Sequence, residues 1–358
     1  MLTNIKGKLG FGCMRLPMKD GDVDYEQTSA MVDAFLEAGF NYFDTAHGYI
    51  GGKSEVAVKK CLTDRHPRES YILVDKLSPG TFQGEETVRP MIEEELTLCG
   101  VDYFDVLLMH CQNADLFKQY KAAKAYETAF AMKEEGKIRH VGISFHDKAA
   151  VLDQIITEYP ELEVIQIQFN YLDYEDGGVE ARKCYEVCRK HGKQIVIMEP
   201  VKGGSLANLP AAAKAVFDGL GSASPASYAI RFAAGFEGVV NVLSGMSNME
   251  QMLDNISYMK DFKPLDETER TAVDKVTGIL KSADLIRCTA CRYCVAGCPC
   301  EIPIPEIFTR MNAEQYDLPC EAEVELSKAG DCVGCGACEE TCPQKLPIRE
   351  LLGKAAAL

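Results

Sequence analysis

Four side chains of complementary type, Asp44, Tyr49, Lys76 and His110, stand at or just beyond the ends of short apolar runs. Brought to one place, they make a proton donor. A tyrosine hydroxyl has a reference pKa of about 10, high for an acid working at neutral pH. An ammonium beside it favours the phenolate and lowers that value. Lys76 is therefore the expected tuner, with Asp44 holding it charged and in place. His110 donates a hydrogen bond to a carbonyl oxygen, and Tyr49 quenches the alkoxide formed as hydride arrives at carbon. Each residue alone reads as structural: an Asp–Lys bridge tying strand ends, and a tyrosine and a histidine capping a core. Four of them in register at one rim favour the chemistry.

A second set is made of thiols. Cys288, Cys291, Cys294 and Cys298 precede Pro299, and Cys332, Cys335, Cys338 and Cys342 precede Pro343, each block reading C-x2-C-x2-C-x3-C-P. Thiolates at these gaps wrap a cuboidal cluster, and the run is the bacterial [4Fe–4S] pattern. Structural zinc needs only four ligands and favours C-x2-C pairs set farther apart, so two full copies with the proline argue against it. Of the 16 cysteines, Cys13, Cys61, Cys99, Cys111, Cys184, Cys188, Cys300 and Cys320 lie outside these ligand sets. They are expected to be reduced thiols acting as small hydrophobes. Their number points to a low-oxygen cell.

The elements that must position these groups follow from the chain itself. Its 358 residues, 47% of them hydrophobic, can bury a large core. The net charge of −16 disfavours nucleic acid and anionic membrane surfaces as partners. No apolar run is long enough to span a bilayer. "MLTNIKGKLGFG" lacks the apolar stretch of a secretory signal, so the expected location is the cytoplasm, where disulfides are rare.

β-rich runs recur as "KLGFGC", "NYFDT", "YILVDK", "YFDVLLMH", "IRHVGIS", "VIQIQF", "QIVIME" and "GVVNVLS". Segments of helical period separate them. "YEQTSAMVDAFLEAG" puts Met31, Phe35 and Leu36 on one side and stops at Gly39. "SEVAVKKCL" is expected to open with Ser54 as N-cap, and "DKAAVLDQIITEYP" with Asp147. Eight alternations of strand and helix imply parallel strands closing into an α/β fold, the (β/α)8 TIM barrel. An open doubly wound sheet would favour a GxGxxG turn after the first strand, and none is present. Composition changes near Asp284, giving expected domains of 1–285 for the barrel and 286–358 for a small cysteine-rich domain.

"FDTAHGY", the lysine that ends the next strand, and "LLMH" resemble the catalytic tetrad of the aldo-keto reductase superfamily, and the likeness runs from about residue 5 to 280. The resemblance implies Tyr49 as acid, Lys76 and Asp44 as its tuners and His110 as carbonyl orienter. "LGFGCMRLP" is similar to the family's first strand, which implies Gly12, Cys13 and Met14 beside a nicotinamide cofactor. Ser144 and Gln166 would hold the carboxamide. Gly245, Ser247, Gln251 and Asn255, from "SGMSNMEQMLDN", would meet the adenosine end. The cysteine blocks resemble two-cluster ferredoxins, in which the fourth cysteine of each block serves the other cluster. That implies Cys288, Cys291, Cys294 and Cys342 for one [4Fe–4S] cluster, and Cys332, Cys335, Cys338 and Cys298 for the other. Cys300 is then a bystander. "IPEIFTRMNAEQYD", between the blocks, reads as a helix and points to a mainly α-helical dicluster type.

Two departures bear on the cofactor. Where the family places an aromatic ring on the nicotinamide, this chain reads "VIMEPVKGGSL", with Met198 or Glu199. The stretch from Ser244 to Asn255 has no lysine or arginine for an NADP 2′-phosphate, and Lys202 is the nearest base in the mouth loops. NADP, NAD and flavin all stay open. Nicotinamide delivers two electrons as hydride whereas a cluster moves one, and flavins handle both. The expectation is an iron–sulfur oxidoreductase reducing a small-molecule carbonyl, or oxidising the alcohol, with the clusters in electron transfer to a redox partner protein. The alternative is an electron-transfer subunit whose barrel is a docking or cofactor-sensing scaffold. The C-terminal domain is expected at the barrel mouth, narrowing the substrate site.

Overall fold

The structure, a computed structural model, describes residues 2–318, 320 and 322–358. The first residue of the expected barrel segment and two residues of the C-terminal segment lie outside that set. Each of the eight β-rich runs forms a strand: β1 (Leu9–Gly12), β2 (Tyr42–Asp44), β3 (Ile72–Leu77), β4 (Phe104–Gln112), β5 (Ile138–Phe145), β6 (Val164–Gln168), β7 (Gln194–Met198) and β8 (Val239–Ser244). All are parallel and pair in sequence order, and β1 pairs with β8 to close the barrel.

Side chains alternate along a strand, so one parity lines the barrel interior. Tyr42, Ile72, Val74, Val106, Leu108, Val164, Val196 and Leu243 fill it as one apolar plug, with Leu2 among them. The same rows continue toward the C-terminal ends as Asp44 after Tyr42, Lys76 after Val74, His110 after Leu108 and Gln166 after Val164. The polar residues therefore meet directly above the plug.

Helix α1 (Tyr25–Glu37) buries Met31 and Phe35, and Leu36 packs half-buried beside them. Gly39 follows at φ +94°, the left-handed cap expected of it. Helices α2 (Lys53–Val58) and α3 (Glu85–Cys99) cover β2 and β3. Two cap expectations fail. Ser54 lies inside α2, where its hydroxyl is drawn to Thr45 Oγ1 at 2.8 Å and the Cys13 carbonyl at 2.9 Å. The helix Ala149–Glu158 starts after Lys148 without a side-chain cap, because the Asp147 carboxylate accepts from the Ala114 amide at 2.9 Å, at the start of another helix.

The last barrel helix, Glu267–Ser282, opens on a capping box of Asp266 and Glu269. Leu285 packs with the barrel-side cluster and Ile286 with the C-terminal one. The C-terminal segment is helical, with Tyr293–Ala296, Ile304–Tyr316, Ala337–Thr341 and Ile348–Ala355. Ile302, Ile304, Ile307, Phe308, Ile348 and Leu352 form its core, among the cysteines. No helix among the described residues is long and apolar enough to cross a membrane.

Candidate active site

Lys76 Nζ donates to Asp44 Oδ1 at 2.5 Å and to the Thr45 carbonyl at 2.7 Å. Gln166 Nε2 donates to the other oxygen of Asp44 at 3.0 Å. The Lys76 ammonium lies 4.6 Å from the centre of the Tyr49 ring. That ring meets His110 edge-on at 5.9 Å. His110 follows Leu108 in the inward-facing row, and β4 shifts register between Met109 and Gln112, where Cys111 takes φ +57°. The Cys111 amide is held by Ser144 Oγ at 2.9 Å. The expected four residues are thus together at the mouth end of the barrel.

One electrostatic expectation is reversed. Burial pushes the Tyr49 phenol well above its ordinary value, and the Asp44 charge adds to this. The Lys76 charge is matched by Asp44 at 2.5 Å, so little of it remains to stabilise a phenolate. Tyr49 is consequently a protonated tyrosine across the physiological range. Burial first, and then the Lys76 charge, hold His110 well below the usual imidazole range, so its ring is neutral. Ser78 Oγ lies 2.8 Å from His110 Nδ1. A Ser78 hydroxyl donating there leaves Nε2–H to donate into the cavity.

The cavity above these groups has a volume of about 670 Å³. Gly12, Met14, Ser144, Gln166, Met198, Gly245, Ser247, Gln251 and Asn255 line it, as the sequence places them. Two expected cofactor residues do not. Cys13 turns into the protein interior, with its thiol toward the Phe11 carbonyl. Lys202 is buried and spends its charge on Asp173, at 2.7 and 2.8 Å from the two carboxylate oxygens, with Gln344 Oε1 at 3.2 Å. The adjoining glycine serves another approach: a Cβ on Gly203 would lie 2.3 Å from the Thr289 carbonyl oxygen, so this loop makes room for the C-terminal segment.

That segment forms part of the cavity wall through Thr289, Cys291, Tyr293, Pro343 and Gln344. Gln344 exchanges hydrogen bonds with Gln168, Arg15 donates to the Thr289 carbonyl, and Arg287 pairs with Asp176 at 3.1 Å. The Tyr293 hydroxyl faces the Cys111 thiol next to Tyr49. The C-terminal domain therefore sits over the mouth, where sequence reasoning put it. Sequence reading missed Ser78, Arg15, His146 and Tyr293. Ser78 and His146 each lie two residues beyond an inward-facing site residue, a parity signal that was available in the sequence. Two buried polar atoms among the cavity-lining residues, Glu199 Oε2 and His146 Nδ1, have no protein partner. Burial, with the Lys76 charge, brings His146 down to about 4. A polar ligand group there fits a nucleotide cofactor.

Cys288, Cys291, Cys294 and Cys342 line one small void, and Cys298, Cys332, Cys335 and Cys338 line another. The grouping crosses the two sequence blocks. Cys300 lines the second void as a fifth thiol. Burial pushes Cys288 and Cys294 up to about 12. Four thiols around each void are the donor set that an iron–sulfur cluster takes, so both sets fit such clusters.

The sequence pattern of the Aldo/keto reductase family matches residues 8–277, and that of a 4Fe-4S dicluster domain matches residues 287–346. The chain is 27% identical to the NADH-specific methylglyoxal reductase of Escherichia coli, over 56% of this chain and 65% of that protein, just short of two thirds of its length. It is 24% identical to the L-galactose dehydrogenase of Arabidopsis thaliana, over 76% of this chain and 90% of that one. Among the solved structures that share the fold are two aldo-keto reductases. One is an aldo-keto reductase from Bacillus halodurans in its holo form, with a TM-score of 0.62 at 24% identity, covering 75% of this chain and 91% of that one. The other is an aldo-keto reductase from Klebsiella pneumoniae in complex with NADPH, with a TM-score of 0.61 at 19% identity, covering 76% and 95%.

Proposed function

The chain belongs to the aldo/keto reductase family and is an oxidoreductase with a C-terminal 4Fe-4S dicluster domain, and on that premise we propose that it reduces a small carbonyl compound with a nicotinamide cofactor. The observation that carries this reading is the convergence of Asp44, Tyr49, Lys76 and His110 beneath one cavity. Bound there, nicotinamide supplies hydride to the carbonyl carbon. His110 Nε2–H orients the carbonyl oxygen, and Tyr49 gives up its hydroxyl proton to that oxygen as charge develops. The phenol stays protonated until hydride arrives, and the developing alkoxide, a far stronger base than a phenolate, takes its proton even though burial has raised the phenol's pKa. Tyr293, from the C-terminal segment, narrows the cavity beside Tyr49 and Cys111.

Gly12, Met14, Ser144, Gln166 and Met198 would hold the nicotinamide end, and Gly245, Ser247, Gln251 and Asn255 the adenosine end. We assign NADH over NADPH. Arg15 is the one lysine or arginine among the lining residues, against Glu250 and Asp254 near the adenosine loop. The E. coli relative is named as NADH-specific.

The two thiol groups are read as two [4Fe–4S] clusters, supplying single electrons. Cys291 lines both its thiol void and the main cavity, and Cys335 is the exposed ligand of the other group. This supports a second reading, in which electrons pass between a redox partner at Cys335 and a flavin or substrate in the cavity. The domain division is placed between Leu285 and Ile286. The acidic surface and reduced thiols suit a cytoplasmic enzyme.

Deuterium labelling separates the two readings. With deuterated NADH in ordinary water, the first reading puts the label on the carbinol carbon of the product. Label entering that carbon from D2O instead would favour single-electron delivery and overturn the hydride assignment.

A further inference from the structure

Between β3 and helices α2 and α3 lies a polar group that carbonyl reduction does not use. Asp75 alternates with Lys76 on β3 and so faces outward, into this layer. Its Oδ1 accepts from the Lys76 amide at 2.8 Å, and its Oδ2 from the Cys99 thiol at 3.3 Å. Glu55 reaches the same place from α2 and Glu95 from α3, and all three carboxyls are fully buried. His47, two residues before Tyr49, closes the group with Nδ1 at 2.9 Å from Glu55 Oε2. Ligand atoms of His47, Glu55 and Glu95 all lie within 4.8 Å of one another, and so do those of Glu55, Asp75 and Cys99.

Buried carboxyls need donors, protons or a cation. Here donors are scarce. Both oxygens of Glu95 and Oε1 of Glu55 are buried with no hydrogen-bond partner. Among the described residues no lysine or arginine forms an ion pair with Glu55, Asp75 or Glu95. The Glu95 carboxyl is thus an unpartnered group aimed at an imidazole and a second carboxyl.

We propose that His47 Nδ1 and the carboxylates of Glu55 and Glu95 bind one divalent cation of the zinc, manganese(II) or iron(II) class. Two carboxylates balance its charge, and one imidazole with oxygen ligands suits these borderline ions. Asp75 and Cys99 flank Glu55 on its other side. The His47 side chain is 28% exposed and gives the ion a way in. The cation ties the loop that carries Tyr49 to the helices behind β3, which carries Lys76. It is therefore a positioning element for the proton donor, distinct from both thiol groups.

The test uses anaerobically purified, cluster-loaded protein. Metal content is measured against acid-labile sulfide, and the protein is then dialysed against Zn²⁺ and, separately, Mn²⁺. The expected result is one divalent ion beyond the iron that sulfide accounts for, present at isolation or taken up on dialysis. Glu95→Gln should weaken its binding by about ten-fold or more with cluster absorbance unchanged. His47→Ala, at the exposed edge, is the second variant should Glu95→Gln fail to fold, and should show the same loss. Absence of excess metal together with no uptake, or uptake unchanged in a folded variant, overturns the proposal.

Discussion

Cys342 shares a void with Cys288, while Cys298, only ten residues from Cys288 in the chain, faces the other void. Each thiol group thus draws its fourth member from the distant block. Loss of either block is expected to damage both clusters, so the two halves of the C-terminal domain stand or fall together.

Single cysteine variants test this exchange. Cys342→Ser should remove the same cluster signal as Cys288→Ser, and Cys298→Ser the same signal as Cys335→Ser, when the clusters are distinguished by EPR of the reduced protein. Cys298→Ser pairing with Cys288→Ser instead would show that each block serves its own cluster.

The Asp44–Lys76 pair is almost fully buried, with the side chains 3% and 0% exposed. Removing one member strands the other charge, at a cost of about 3–5 kcal/mol. Lys76→Met should therefore lower the thermal unfolding temperature strongly. The double variant Asp44→Asn, Lys76→Met should recover much of that loss while staying inactive. Equal destabilisation by the single and double variants would mean that the pair's charges do not set the cost.

The pH profile follows from the directions of shift. Reduction needs Tyr49 protonated, and burial raises its pKa. Activity should hold through the ordinary tyrosine range and fall only above about 10. His110 is lowered, so it stays neutral as pH falls through the usual imidazole value. A kcat profile with no break near about 6.5 is expected. An alkaline limb at or below the ordinary phenol value would contradict this account of the phenol.

The proposed preference for NADH rests on charge at the adenosine end, where Glu250 and Asp254 line the cavity. NADH should be used in preference to NADPH, measured as kcat/KM. Glu250→Lys should improve NADPH use by about ten-fold, since one charge-assisted contact to the 2′-phosphate is worth about 1.5–3 kcal/mol before solvent screening. Equal use of both cofactors by the unaltered protein would remove the acidic residues as determinants.

The barrel is legible in the sequence because each strand is a short β-rich run, with helical periods between. The tetrad is legible because Asp44, Lys76 and His110 continue inward rows whose parity the apolar residues establish. What escapes depends on contacts between distant segments. Lys202 reads as a free base until Asp173 and Gln344 are seen to hold it. Ser54 reads as a cap, yet Thr45 and Cys13 take its hydroxyl. The expected lowering of Tyr49 counts the Lys76 charge, but neither its neutralisation by Asp44 nor the burial of the ring. Tyr293 enters the site only because the C-terminal domain docks on the mouth, a placement reached in sequence by family resemblance rather than by any local pattern.

The most direct measurement is carbonyl-dependent NADH oxidation by Tyr49→Phe, compared with the unaltered protein at equal cluster content under anaerobic conditions. The account predicts a fall in kcat of about 10²–10⁴-fold, with cofactor affinity and cluster absorbance unchanged. Turnover retained at the original rate would contradict it.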